Sequence, residues 1–186
     1  MKLFLLRHEK RWLGDPTFYS PLLPDGLKDA NKLIEHLMPL NIDKIYSSPF
    51  KRVLQTIKPY CDKMDKKVNI EYSLYEQTFD SDKHIIKFDE KDFKKDLLPG
   101  DDEYYLKNEK YSSFMPLNQI KWSKDTSIRS INFVNYLIEN NKNSDNILIA
   151  THAGIIRDIL KETKYAPMGG LIEFDYKNNL WRAINF

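Results

Sequence analysis

The sequence predicts a three-layer α/β/α sandwich built on a mostly parallel central sheet. Three observations carry that expectation. Short apolar runs alternate with segments of helical periodicity along the chain. Two of the runs, Leu3-Phe4-Leu5-Leu6 and Ile147-Leu148-Ile149-Ala150, are apolar at every position, the pattern of strands buried on both faces. The last two extended segments, Leu171–Tyr176 and Leu180–Asn185, flank Lys177-Asn178-Asn179 and read as a β-hairpin.

The elements follow in order. Leu3 to Leu6 forms a central strand that stops at Arg7-His8. A helix starts near Pro24-Asp25-Gly26, with Pro24 at the first helical position. Leu27, Ala30, Leu33, Ile34, Leu37 and Met38 recur on one side of it, and Pro39 and Asn41 close it. Ile42 to Tyr46 is a short strand. Ser48 is placed as the cap of the next helix, with Pro49 at its first position and Val53, Ile57, Tyr60 and Cys61 along one face. Pro59 is expected to bend that helix or end its regular part. Val68 to Glu71 is a third strand. Residues 77–124 are rich in Asp, Glu, Lys and Tyr and have little periodicity, so they read as an insertion over the sheet edge, either a solvated excursion or a lid that selects substrate. Ile128, Ile131, Val134, Leu137 and Ile138 then mark an amphipathic helix capped by Asp125 or Thr126. The strand Ile147–Ala150 ends at Thr151-His152-Ala153-Gly154, and Ile155 to Lys161 begins another helix.

Length and composition set bounds. A chain of 186 residues is expected to form one domain, residues 1–186, with a substantial core. A net charge of +2 argues against a nucleic-acid binder driven by bulk charge. The single cysteine, Cys61, forms no internal disulfide and no thiolate metal site, and it fits a reducing compartment. With no signal peptide and no membrane-spanning run, a cytoplasmic location is expected and no membrane partner. Oligomeric state is not legible. No Gly-x-Gly-x-x-Gly, Walker loop or zincin pattern occurs, and no metal or other cofactor is expected. His36, on the exposed side of its helix, and His84, in the insertion, carry no role.

The chemistry concentrates where strands stop. Arg7-His8 with Arg11 brings an imidazole and two guanidinium groups to one carboxyl end of the sheet, where open α/β sheets bind ligands. Neutral imidazole flanked by guanidinium suits attack on a phosphoryl group whose oxygens the arginines hold. Three further segments follow in order: Ser48-Pro49-Phe50-Lys51-Arg52 with Gln55-Thr56, then Leu74-Tyr75-Glu76, then Thr151-His152-Ala153-Gly154. Together these resemble the histidine phosphatase superfamily, the phosphoglycerate-mutase-like enzymes, over residues 3 to about 76 and about 145 to 160.

The resemblance implies a phosphoglycerate-mutase-like fold and assigns roles. His8 is the nucleophile that becomes phosphorylated, and His152 binds phosphate and stabilises the transferring group. Arg7, Arg11 and Arg52 clamp phosphate, helped by the Ala153 amide at a helix start. Glu76 is the proton donor, with Asp80 and Asp82 as fallback acids. Glu9 departs from the family's usual glycine, so its carboxylate must turn away or pair with Lys10, Arg11 or another cation. The expected activity is metal-independent hydrolysis of a phosphomonoester, on a small molecule or a phosphoprotein, through a phosphohistidine. A phosphoglycerate-type mutase and a phosphate-binding module with little turnover are the alternatives.

Overall fold

The computed structural model describes residues 1–14, 18–76, 106–115 and 126–185. Most of the expected insertion at 77–124, including Asp80, Asp82 and His84, lies outside the described residues. Six strands form one mixed sheet: β1 (Lys2–Arg7), β2 (Lys44–Ser47), β3 (Asn69–Ile70), β4 (Asn146–Thr151), β5 (Leu171–Asp175) and β6 (Leu180–Ala183). Their spatial order is β3-β2-β4-β1-β5-β6. The pairs β1–β4, β2–β4 and β2–β3 are parallel, whereas β5 runs antiparallel to β1 and β6 antiparallel to β5.

The strands alternate their side chains between two cores. Phe4 and Leu6 of β1 and Leu148 and Ala150 of β4 face helices α1 (Pro24–Leu37) and α2 (Lys51–Met64). Leu3, Leu5, Ile147 and Ile149 face helices α3 (Thr126–Asn140) and α4 (Ala153–Leu160). Both faces of the central strands are therefore buried, which explains their unbroken apolar runs. Among the described residues, two helices on each face make the expected three layers.

Local chemistry explains most boundaries. Leu23 precedes α1 without a capping side chain, and Pro24 at the first helical position omits an amide that would have had no acceptor there. Asn41 ends the following 3-10 turn in a left-handed conformation, φ 47°. Asp65, φ 49°, ends α2 with its N–H on the Cys61 carbonyl.

Three local expectations are corrected. The second helix starts at Lys51, with Phe50 as its cap residue, so Ser48 is not its cap. Pro59 does not end α2, which continues to Met64. The buried face of Val53, Ile57, Tyr60 and Cys61 holds the helix to the sheet and outweighs one missing hydrogen bond. On α3 the inward stripe is Arg129, Ser130, Phe133, Val134 and Leu137, whereas Ile128 is exposed. Val134 and Leu137 face inward as expected and Ile138 packs against the same core, whereas Arg129 and Ser130 take the inward place expected of Ile128.

The described part of the insertion region packs against β3. Leu106 and Asn108 exchange backbone hydrogen bonds with Val68. The fully buried carboxylate of Glu71 accepts from the Ser73, Phe114 and Met115 amides and from the Tyr111 hydroxyl. One anion thus fixes residues 111–115 against the turn that precedes Glu76.

Candidate active site

Register brings the predicted residues together. In the β1–β4 pair, Arg7 stands opposite Thr151, so His8 and His152 leave neighbouring parallel strands at the same level. The His8 amide donates to the Thr151 carbonyl. On the other side of β4, Ser47 of β2 stands opposite Ala150, which puts Arg52, in the first turn of α2, at the same edge. A 3-10 turn at Tyr72–Leu74 after β3 delivers Glu76. The Thr151 hydroxyl ties that turn to β4 by donating to the Leu74 carbonyl at 2.6 Å.

His8 is almost wholly buried, and its Nδ1 lies 2.8 Å from the Glu9 carbonyl. A carbonyl only accepts, so Nδ1 carries the proton and Nε2 keeps its lone pair. Burial pushes the His8 pKa well below the ordinary imidazole value, and the neighbouring His152 and Arg52 push it the same way. The ring is therefore neutral at neutral pH.

His152 is fully buried, edge-on to His8 with ring centroids 5.3 Å apart. Ser48, displaced from its expected capping role, places its Oγ 2.8 Å from His152 Nε2. The other ring nitrogen, Nδ1, lies 3.2 Å from Glu76 Oε2 but is not aligned for a hydrogen bond with it. Burial lowers the His152 pKa to about 4 even though the Glu76 carboxylate pulls it upward. For Glu76, burial acts to raise the pKa, but contact with His152 and the charge of Arg52 prevail and hold it at about 2.

The arginines divide. Arg52 is completely buried, with its guanidinium 4.4 Å from the Phe50 ring centroid and Nη2 3.9 Å from Glu76 Oε2. Arg7 donates from Nη1 to the Ala166 carbonyl at 2.6 Å, while its Nε is buried without a hydrogen-bond partner among the described residues. Arg11 sits half-exposed at the rim, its Nη1 on the Trp12 carbonyl. The Ala153 amide opens α4, where no intrahelical acceptor exists. The buried Arg7 Nε, without a hydrogen-bond partner among the described residues, costs about 1–3 kcal/mol, and a bound oxyanion would satisfy it.

Glu9 turns aside. Its buried carboxylate packs on Gly169, and its amide donates to Thr56 Oγ1 at 2.9 Å. Burial raises its pKa, reinforced by Asp29, with Lys10 acting in the opposite sense. Thr56 in turn donates to the Arg52 carbonyl, and Gln55 accepts from the Leu22 amide. The Gln55-Thr56 pair therefore fastens the loops around His8.

Sequence reasoning missed two residues at the site, Ser48 in its true role and Arg129. Arg129, buried on α3, donates to the carbonyls of Ser73, Tyr75 and Glu76. Its signal was its spacing, four residues before Phe133 and eight before Leu137 on the same inward face. A ring nitrogen of each histidine and a Glu76 oxygen lie within 4.8 Å of one another and could ligate a transition metal, an arrangement that would occupy both imidazoles and the carboxylate.

Comparison with known proteins bears on the family and the fold. The family model described as histidine phosphatase superfamily (branch 1) matches residues 3–186. A probable phosphatase of Schizosaccharomyces pombe is 37% identical over 67 residues, which span 33% of this chain and 32% of that protein's length. An ecdysone phosphate phosphatase from Bombix mori, solved with tungstate, superposes with TM-score 0.69 at 14% identity, covering 100% of this chain and 92% of that one. A phosphoserine phosphatase mutant from Entamoeba histolytica, solved with phosphoserine, gives 0.66 at 22% identity, covering 100% and 95%. At these identities the two structures speak to the fold. No helix among the described residues is long and apolar enough to cross a membrane.

Proposed function

The chain belongs to the histidine phosphatase superfamily, and from that membership we propose that it is a metal-independent phosphomonoester phosphatase working through a phosphohistidine on His8. One observation carries the reading. His8 Nδ1 is committed to a backbone carbonyl, which leaves the Nε2 lone pair among buried cationic and N–H donors.

The substrate phosphoryl group binds between Arg7, Arg52, His152 and the Ala153 amide, with Arg11 at the rim. His8 Nε2 attacks phosphorus, the P–O ester bond breaks, and Glu76 gives its proton to the departing alkoxide. Glu76 is ionised before substrate binds. It gains its proton when the phosphate dianion offsets the positive charge beside it, or when the substrate arrives as a monoanion. Water then attacks the phosphohistidine, the P–N bond breaks, Glu76 takes up a proton from the water, and inorganic phosphate leaves. His152 and the arginines hold the equatorial oxygens through both steps. The substrate is a phosphomonoester of a small molecule or a protein.

Hydrolysis of p-nitrophenyl phosphate between pH 5 and 8 with chelator present tests the reading, wild type against His8→Ala. Activity confined to the wild type supports it. Full activity in His8→Ala, or loss of wild-type activity to the chelator, overturns it.

A further inference from the structure

Four consecutive carbonyls around the acid, those of Ser73, Leu74, Tyr75 and Glu76, all accept hydrogen bonds from side chains. Thr151 takes Leu74, and Arg129 alone takes the other three, at 2.5 Å, 2.7 Å and 3.4 Å. The same guanidinium lies 3.9 Å from the Tyr75 ring centroid. Arg129 is 6% exposed and makes no ion pair among the described residues. Its charge is buried against neutral acceptors and an aromatic face. That is an expensive way to stabilise a fold, because desolvation is offset by carbonyl dipoles, an aromatic face and the more distant charges of Glu76 and Asp158, with no directly paired carboxylate among the described residues. It is an effective way to hold a stretch of backbone, because a planar fork of donors fixes the acceptors relative to one another.

We propose that Arg129 is a positioning residue for the proton transfer: its guanidinium, anchored on α3, grips the Ser73–Glu76 backbone and so holds the Glu76 carboxyl at the leaving-group oxygen. The inference rests on the reading of Glu76 as the acid. Arg129 touches neither substrate nor reacting atoms. Beyond the charge it places near His152 and Glu76, which Arg129→Lys keeps, its effect reaches the reaction through where Glu76 sits, so its loss should matter in proportion to how much a substrate needs the proton. An alkoxide leaving group needs it; dinitrophenolate, stable as an anion, does not.

The test compares kcat/KM on an alkyl phosphomonoester and on dinitrophenyl phosphate for wild type, Arg129→Met, Arg129→Lys and Glu76→Gln. The ratio of the two constants cancels any difference in folded fraction, so a destabilised variant still reports. Expected for Arg129→Met is a loss of roughly tenfold to hundredfold on the alkyl ester and within about threefold on the dinitrophenyl ester. Glu76→Gln should show the same pattern more strongly, and Arg129→Lys, which reaches fewer carbonyls, should fall between wild type and Arg129→Met. Equal losses on both esters in Arg129→Met, alongside a selective loss in Glu76→Gln, overturn the role of Arg129 and leave the acid standing. Equal losses in both variants overturn the acid assignment and this inference with it.

Discussion

His152 Nδ1 stands 3.2 Å from Oε2 of Glu76, and at neutral pH the imidazole is uncharged and the carboxyl ionised. Glu76 is held at about 2, so the proton needed by the leaving group must come with the phosphate or be drawn in by it. The second ionisation of a phosphomonoester lies near pH ~6. The kcat/KM for an alkyl phosphate should therefore fall about tenfold per unit above that pH. On the acid side, neutral His8 is maintained far below the ordinary imidazole range, so activity should persist at pH 5. A pH–rate profile checks both limbs.

The same two histidines set a stability window. Their folded pKa values are depressed, His152 to about 4, whereas an unfolded imidazole titrates near ~6.5. Between those values the unfolded chain binds more protons, so stability falls as pH falls. Each histidine contributes a slope of about 1.4 kcal/mol per pH unit. Above about pH 7 both are neutral in both states and the effect vanishes. Glu76 adds a second loss lower down, as its unfolded carboxyl protonates near ~4.3 and its folded one only near about 2. Denaturant midpoints from pH 7 to 4 should show this decline, and His152→Gln should flatten its upper part.

Phosphorylation should fall on Nε2 of His8, because Nδ1 is held by the Glu9 carbonyl. Rapid quench at high pH followed by phosphorus NMR or mass spectrometry distinguishes the two isomers. His8→Ala should trap no phosphoprotein and lose at least about a thousandfold in kcat.

Ser48→Ala removes the oxygen beside His152 Nε2 and frees the ring to turn. A hydrogen bond of about 1–1.5 kcal/mol corresponds to roughly a tenfold loss in kcat/KM. Helix α2 should keep its stability, since Ser48 does not cap it. Steady-state kinetics together with thermal melting separate the two effects.

A Cβ at Gly169 would lie 1.9 Å from Glu9 Oε1, and the backbone there has φ +71°. Gly169→Ala should cost at least about 2 kcal/mol, from left-handed backbone strain and displacement of Glu9. Adding Glu9→Ala should relieve the steric part and leave about 1–2 kcal/mol of strain. Chemical denaturation of the two single variants and the double variant measures the coupling.

The sequence was informative where one chemical demand dominated. Unbroken apolar runs located β1 and β4, and polar residues at their ends located His8 and His152. It was less informative where one residue type serves two purposes. A serine before Pro49 looks like a helix cap whether its hydroxyl faces an amide or an imidazole from the neighbouring strand's end, 104 residues away in sequence. An arginine between isoleucines looks solvent-facing unless long-range contacts reveal carbonyls waiting for it, and no local pattern encodes those of Ser73 and Tyr75. Pro59 misled in the opposite direction, because tertiary burial of α2 outweighed a local helix breaker.

The pairing of β1 with β4 has a consequence for synthesis on the ribosome. Residues 2–7 emerge well before residues 146–151 and can pair with them only after the latter have left the exit tunnel. Until then His8 has no partner histidine and its strand lacks a neighbour on that side. The candidate site therefore cannot assemble for most of the time this stretch is being made, and the long-range closure that assembles it is the kind of step that slows folding.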